Sequence, residues 1–138
     1  MEPLRVVIDP NVWISGLIAP RGAPARVVAA VAGKRVNVVA SQHLLDELAT
    51  VLARPKFRRW ITLGDAIEFV DALGRDSDLR PEPGDIPHRV RDPNDDYLAA
   101  LADATAATIV TGDDDLLAAG LDPPAVTPRQ LLDLLELS

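Results

Sequence analysis

Apolar residues along this chain fall either into short unbroken runs or into longer stretches with helical spacing. Leu4–Ile8, Val36–Ala40 and residues 108–111 are brief, β-branched and apolar, the pattern of buried strands. Between them, apolar positions recur three and four apart. Residues 24–32 do so through Val27, Val28 and Val31, with Gly33 as a stop. Ser41 is a good N-cap for a helix reaching about Ala53, with the stripe Leu44, Leu48, Val51 and Leu52, and Arg54-Pro55 ends it. Thr62-Leu63-Gly64-Asp65 resembles a capping box ahead of Ile67, Val70 and Leu73, and Thr127-Pro128-Arg129-Gln130 is another, opening a last helix. Asp92-Pro93-Asn94-Asp95 starts a helix running to about Ala104, with Pro at its first position. Residues 11–18 read as a short helical or turn segment, and residues 116–119 begin another short helix. Residues 76–91 read as loop with an extended piece near Leu79, and Val126 as an edge strand.

Strands separated by helices predict βαβ units: an α/β fold, with a mostly parallel sheet between two helical layers, as a single domain over residues 1–138. Hydrophobic residues make up 48% but aromatics only 4%, so the core must come from Val, Leu, Ile and Ala. The absence of Cys excludes disulfides, thiolate metal sites and Cys nucleophiles, in keeping with a cytoplasmic location. No apolar run is long enough to span a bilayer and no signal peptide is visible, so no membrane partner is expected. The charge balance, 14 basic against 21 acidic residues, gives −7 and argues against a broad electrostatic grip on nucleic acid. Bound metal ions would reverse that field locally.

Candidate chemistry lies in the acids. Ligands of parallel sheets sit beyond the carboxyl ends of the strands. Two strands here end in acid, giving Ile8-Asp9 and Val110-Thr111-Gly112-Asp113, although Asp also follows strands as a turn or cap residue. In the helix after Ser41, Glu47 lies on the edge of the apolar stripe and Asp46 points away. Such a carboxylate needs a partner, and a salt bridge or a metal would serve. In the helix after Asp92, the apolar face is Leu98, Leu101, Ala102 and Thr105. Asp95 is near that face and Asp96 on the far side. Asp95 suits either a shared pocket or the third position of a capping box begun by Asp92. The four acids Asp9, Glu47, Asp95 and Asp113 have no nearby basic run to neutralise them. Crowded carboxylates repel one another unless a cation enters, and hard oxygen ligands select Mg²⁺ or Mn²⁺.

Four pieces in this order resemble PIN domains, in particular the VapC-like toxin components of prokaryotic toxin–antitoxin systems. They are Val-Ile-Asp-Pro-Asn-Val-Trp-Ile-Ser-Gly at 7–16, Glu47-Leu48 with Val51-Leu52-Ala53-Arg54-Pro55-Lys56-Phe57, Arg91-Asp92-Pro93-Asn94-Asp95-Asp96, and Val110-Thr111-Gly112-Asp113-Asp114-Asp115-Leu116. The resemblance spans about Val6 to Leu117. It implies a Rossmann-like sheet and a Mg²⁺- or Mn²⁺-dependent endoribonuclease with Asp9, Glu47, Asp95 and Asp113 as catalytic, metal-binding acids. By the same likeness Asp115 is a further metal acid, Asn11 orders Asp9, and Asp96 is the reserve for Asp95. Thr111 either bonds within the site or merely ends its strand. An RNA substrate, a cognate antitoxin and a homodimer are the implied partners. Pro10 departs from the family, which usually has a small polar residue there, and removes one potential hydrogen bond near Asp9.

Other features carry less. In Arg54-Pro55-Lys56-Phe57-Arg58-Arg59-Trp60 the expected arrangement is a solvated basic turn with Phe57 and Trp60 in the core, against the alternative of a single-stranded RNA contact. Trp13 is expected in the core and His43 without a catalytic role. A phosphohydrolase of haloacid dehalogenase type would need a second Asp where Asn11 stands, and a receiver domain would need a late Lys that is missing. A non-catalytic PIN-like binding module remains as the other alternative.

Overall fold

The computed structural model describes residues 3–84, 90 and 93–137. Its element order is β1 (Leu4–Ile8), α1 (Pro10–Ile18), α2 (Ala23–Ala32), β2 (Val36–Ala40), α3 (Gln42–Leu52), α4 (Leu63–Asp76), β3 (Asp78–Leu79), α5 (Asp96–Thr105), β4 (Thr108–Val110), α6 (Asp114–Leu117) and α7 (Pro128–Leu137). Two 3₁₀ turns, Pro55–Arg59 and Pro93–Asp95, precede α4 and α5. The sheet order is β3-β2-β1-β4 and every pairing is parallel, with Val126 adding a parallel bridge to Val110 outside β4.

Strand pleating divides the core in two. Val6, Ile8, Val38, Ala40 and Val110 face one side, packed with residues of α1, α2, α3, α4 and α7. Val7, Val39 and Ile109 face the other, against α5 and α6. Alternate side chains of a strand point to opposite faces, so a strand buried on both sides must read as the continuous apolar run seen in β1 and β2. The result is the expected three-layer α/β/α arrangement.

The helices start where their capping residues place them. Ser41, Thr62 and Thr127 accept from the backbone N–H three residues on, and Gln130 Oε1 in turn accepts the N–H of Thr127. Asp92 lies outside the described residues. Asp95 itself occupies the N-cap of α5, without a side-chain cap bond. Helix α5 departs from the expected single apolar face, because every residue from Asp96 to Ala102 is buried.

Helices α1 and α2 meet closely at Gly16. A Cβ there would stand 2.6 Å from Val28 Cγ2 and 2.9 Å from the Pro24 carbonyl oxygen. Gly16→Ala is therefore expected to lower stability by about 1–3 kcal/mol, the usual cost of overpacking, read as a lower urea midpoint at unchanged m-value.

Candidate active site

Asp9 leaves β1 at its carboxyl end and caps α1. Its carboxylate accepts the backbone N–H of Asn11 at 3.0 Å. Pro10 takes the first helical position, where an N–H would have no helical partner, so the missing donor expected to disturb Asp9 is supplied one residue later. The donor is the backbone of Asn11, whose side chain is exposed.

Thr111 joins the two strand ends. Its hydroxyl, wholly buried, donates to Asp9 Oδ2 at 2.8 Å and accepts the backbone N–H of Asp113 at 3.0 Å. The choice left open for Thr111 resolves to a hydrogen bond within the cluster. Asp113 in turn caps α6, accepting the N–H of Asp115 at 3.1 Å, and both side chains are half-buried.

The helical acid Glu47 has its partner in a residue that apolar periodicity does not single out. Tyr97, the chain's one tyrosine, is buried on α5 and donates its hydroxyl to Glu47 on α3. The His43 ring, one turn before Glu47, lies on the Tyr97 ring with centroids 4.1 Å apart. A single tyrosine two residues after Asp95 on an apolar helix was the available signal. Tyr97→Phe removes this hydrogen bond and is expected to cost about 1 kcal/mol, read by thermal or urea unfolding.

Electrostatics tie the segments together. Burial pushes the Asp9 carboxyl above its ordinary value, and the charges of Asp113 and Glu47 add to the rise, while the Asn11 N–H and Thr111 hydroxyl oppose it. Burial likewise raises the Tyr97 hydroxyl, followed by its bond to Glu47 and the charges of Glu47, Asp9 and Asp95. Asp9 thus lies in the field of Asp113 and Glu47, and Tyr97 in that of Glu47, Asp9 and Asp95. Among the described residues the ion pairs are Arg5–Asp78, Arg26–Glu136 and Arg80–Asp78, and Asp9, Glu47 and Asp113 take part in none.

Asp96 departs from its expected place. It is buried, and its carboxylate accepts the backbone N–H of Val90 at 2.7 Å. The α5 periodicity had set it on the far, polar side, but this helix has almost no polar side. Trp13 is buried edge-on to Phe69, as expected. Phe57 is buried too, but Trp60 stands 47% exposed, contrary to the expected core position. It follows the 3₁₀ turn, where the chain swings out before α4.

The acids are not drawn into a closed cage: among the described residues no three His, Asp or Glu side chains are gathered tightly enough to hold one ion as they stand. The chemistry of the set nevertheless fits a hard divalent cation, since it is all oxygen and mutually repelling. A cavity of about 990 Å³ lies elsewhere, near the starts of β1 and β2, lined by Arg5, Trp13, Val28, Val36, Phe69 and Leu73 among others. Its lining is mixed, with Lys34, Asp76 and Asp78 beside the apolar residues, and includes none of the four acids. No helix of the described residues is long and apolar enough to cross a membrane.

Comparison with known proteins identifies the family and the fold. A family model described as a PIN domain matches residues 5–115. An uncharacterized protein of Methanocaldococcus jannaschii is 30% identical over 116 residues, covering 83% of this chain and 74% of that protein. Three solved structures share the fold. PAE2754 from Pyrobaculum aerophilum has a TM-score of 0.66 at 14% identity, covering 99% of this chain and 91% of its own. VapBC2 from Rickettsia felis, bound to a DNA fragment from its promoter, gives 0.62 at 13%, covering 89% and 97%. FitAcB from Neisseria gonorrhoeae gives 0.55 at 18%, covering 90% and 98%.

Proposed function

This chain belongs to the PIN domain family, and from that premise we propose that it is a metal-dependent endoribonuclease, the toxin of a toxin–antitoxin pair acting in the cytoplasm. The observation that carries the reading is the buried Asp9, held by Thr111 to the Asp113 turn and lying in the field of Asp113 and Glu47. Asp9, Glu47, Asp95 and Asp113 would hold Mg²⁺ or Mn²⁺, with Asp115 at the rim. When bound, such an ion activates a water and neutralises charge on the phosphate being cleaved.

The remaining roles belong to the chain's own groups. The Asn11 N–H and the Thr111 hydroxyl hold Asp9 in one orientation. Tyr97 holds Glu47 by one oxygen and leaves the other free of that bond. Asp96 holds the backbone of Val90, a supporting task. A cognate antitoxin belongs to the same reading, supported by the likeness in fold to VapBC2 and FitAcB, and a homodimer is proposed from the family alone.

Incubating purified protein with a mixed RNA pool tests the activity. Cleavage is expected with Mn²⁺ or Mg²⁺ and none with excess EDTA. Intact RNA in both would leave a non-catalytic binding module as the better account. For the toxin role, induced expression in a heterologous bacterium is expected to arrest growth, and a normal growth curve with folded protein would speak against it.

A further inference from the structure

The basic segment between α3 and α4 has no part in the acid cluster. Arg54, Lys56, Arg58 and Arg59 place four of the chain's 14 cations within six residues. Leu45, near the start of α3, lies against Gly74, near the end of α4, so the two helices run antiparallel and this segment forms the tip of a helical hairpin. Glu47 lies on the same α3, five residues before its end at Leu52, about 7.5 Å along the axis at 1.5 Å per residue.

Three features of the tip suit an anionic, base-bearing partner. Among the described residues, ion pairs engage Arg5, Arg26 and Arg80, and none engages Arg54, Lys56 or Arg59. Arg58 donates to the Leu52 carbonyl at the end of α3, but its Nε and Nη1 are buried without an acceptor, leaving positive charge uncompensated beneath the surface. Trp60 is 47% exposed, with the Arg59 guanidinium 5.3 Å from its ring centroid. A large aromatic in water beside a cation offers stacking to any flat π-system.

We propose that this tip is a docking element for single-stranded RNA, with a base stacked on Trp60 and phosphates on Arg54, Lys56 and Arg59. The proposal rests on the reading above only in taking RNA as the polyanion. A chain of net charge −7 repels RNA at long range and needs a local foothold. A single strand presents base faces to an aromatic platform, whereas a duplex hides them in its own stack. Leu63 and Ile67 extend the exposed apolar surface along α4, as a protein contact would. The four cations within six residues that run up to Trp60 decide for RNA, because an apolar protein contact has no use for them.

The test uses a fluorescently labelled single strand about 12 nucleotides long, in EDTA so that nothing is cleaved. Of the two tryptophans Trp13 is buried, so quenching on RNA addition reports Trp60. Quenching is expected in the wild type and absent in Trp60→Ala, whose affinity falls about tenfold, with Trp60→Phe keeping most of it. Replacing Lys56 and Arg59 by Gln together is expected to flatten the slope of log affinity against log salt by about 1.4, the share of two phosphate contacts to a single strand. Affinity unchanged in Trp60→Ala overturns the proposal. So does a fall in oligomer mass for that variant, by light scattering, with RNA affinity intact, which marks a protein interface. Trp60-dependent binding without metal-dependent cleavage would sink the nuclease reading and keep this one; cleavage with Trp60-independent binding would do the reverse.

Discussion

Asp9→Asn is expected to reduce metal-dependent RNA cleavage by about a hundredfold or more, while the protein melts at or above the wild-type temperature at pH 7. The activity figure follows from role: groups that only support a metal ligand cost 10- to 100-fold when removed, and a ligand costs at least as much. Asn keeps an acceptor for the Asn11 N–H and a partner for Thr111, so the local frame stands. The stability sign follows from burial. Asp9 is 4% exposed, and its carboxyl titrates above the ordinary value because burial and the nearby acids disfavour its charge. A carboxyl raised in the folded state contributes stability that is full below its unfolded value and is lost as pH rises through the folded one. At neutral pH the ionised group is therefore a burden that Asn relieves. Metal-free wild type should gain stability on mild acidification relative to this variant, and parallel pH–stability curves for the two proteins would contradict the account.

The second large effect is thermal stabilisation by a divalent ion. A ligand at a thousandfold over its dissociation constant adds about 4 kcal/mol when it binds only the folded state. For a chain of 138 residues this raises the melting temperature by roughly ten degrees or more. Mn²⁺ is expected to act this way on the wild type at pH 7 and to lose its effect as pH falls, since protons compete for the carboxylates. Asp9→Asn should abolish most of the shift. An equal shift in both proteins would place the ion elsewhere.

Much of this architecture is legible in the chain because it rests on local rules. The bounds of β1 and β2 follow from continuous β-branched runs, and Ser41, Thr62 and Thr127 announce their helices by side chains that can only usefully cap. The convergence of Asp9 and Asp113 follows from parallel strands ending on one side of the sheet. What escaped depends on three-dimensional surroundings. Periodicity assigns α5 a single buried face, whereas packing buries Asp96 to Ala102 in succession, so Asp96 is taken up by Val90. Helix α5 also ends without glycine, because Ala106 adopts the left-handed conformation that returns the N–H of Ala107 to Ala102. The Tyr97–Glu47 contact joins residues 50 apart, which no local pattern can reveal. Trp60 reads as core by its apolar bulk, yet the 3₁₀ turn before it sends it into solvent.

Acids from distant segments sharing one pocket that takes a divalent cation is the claim on which the functional reading depends. Anomalous diffraction from crystals soaked in Mn²⁺ tests it most directly. The predicted result is a metal peak bonded to carboxylate oxygens of Asp9 and Asp113 at about 2.1 Å, with Glu47 or Asp95 completing the shell. An empty pocket at saturating Mn²⁺, with Asp9 still bonded to Thr111 alone among side chains, would contradict it.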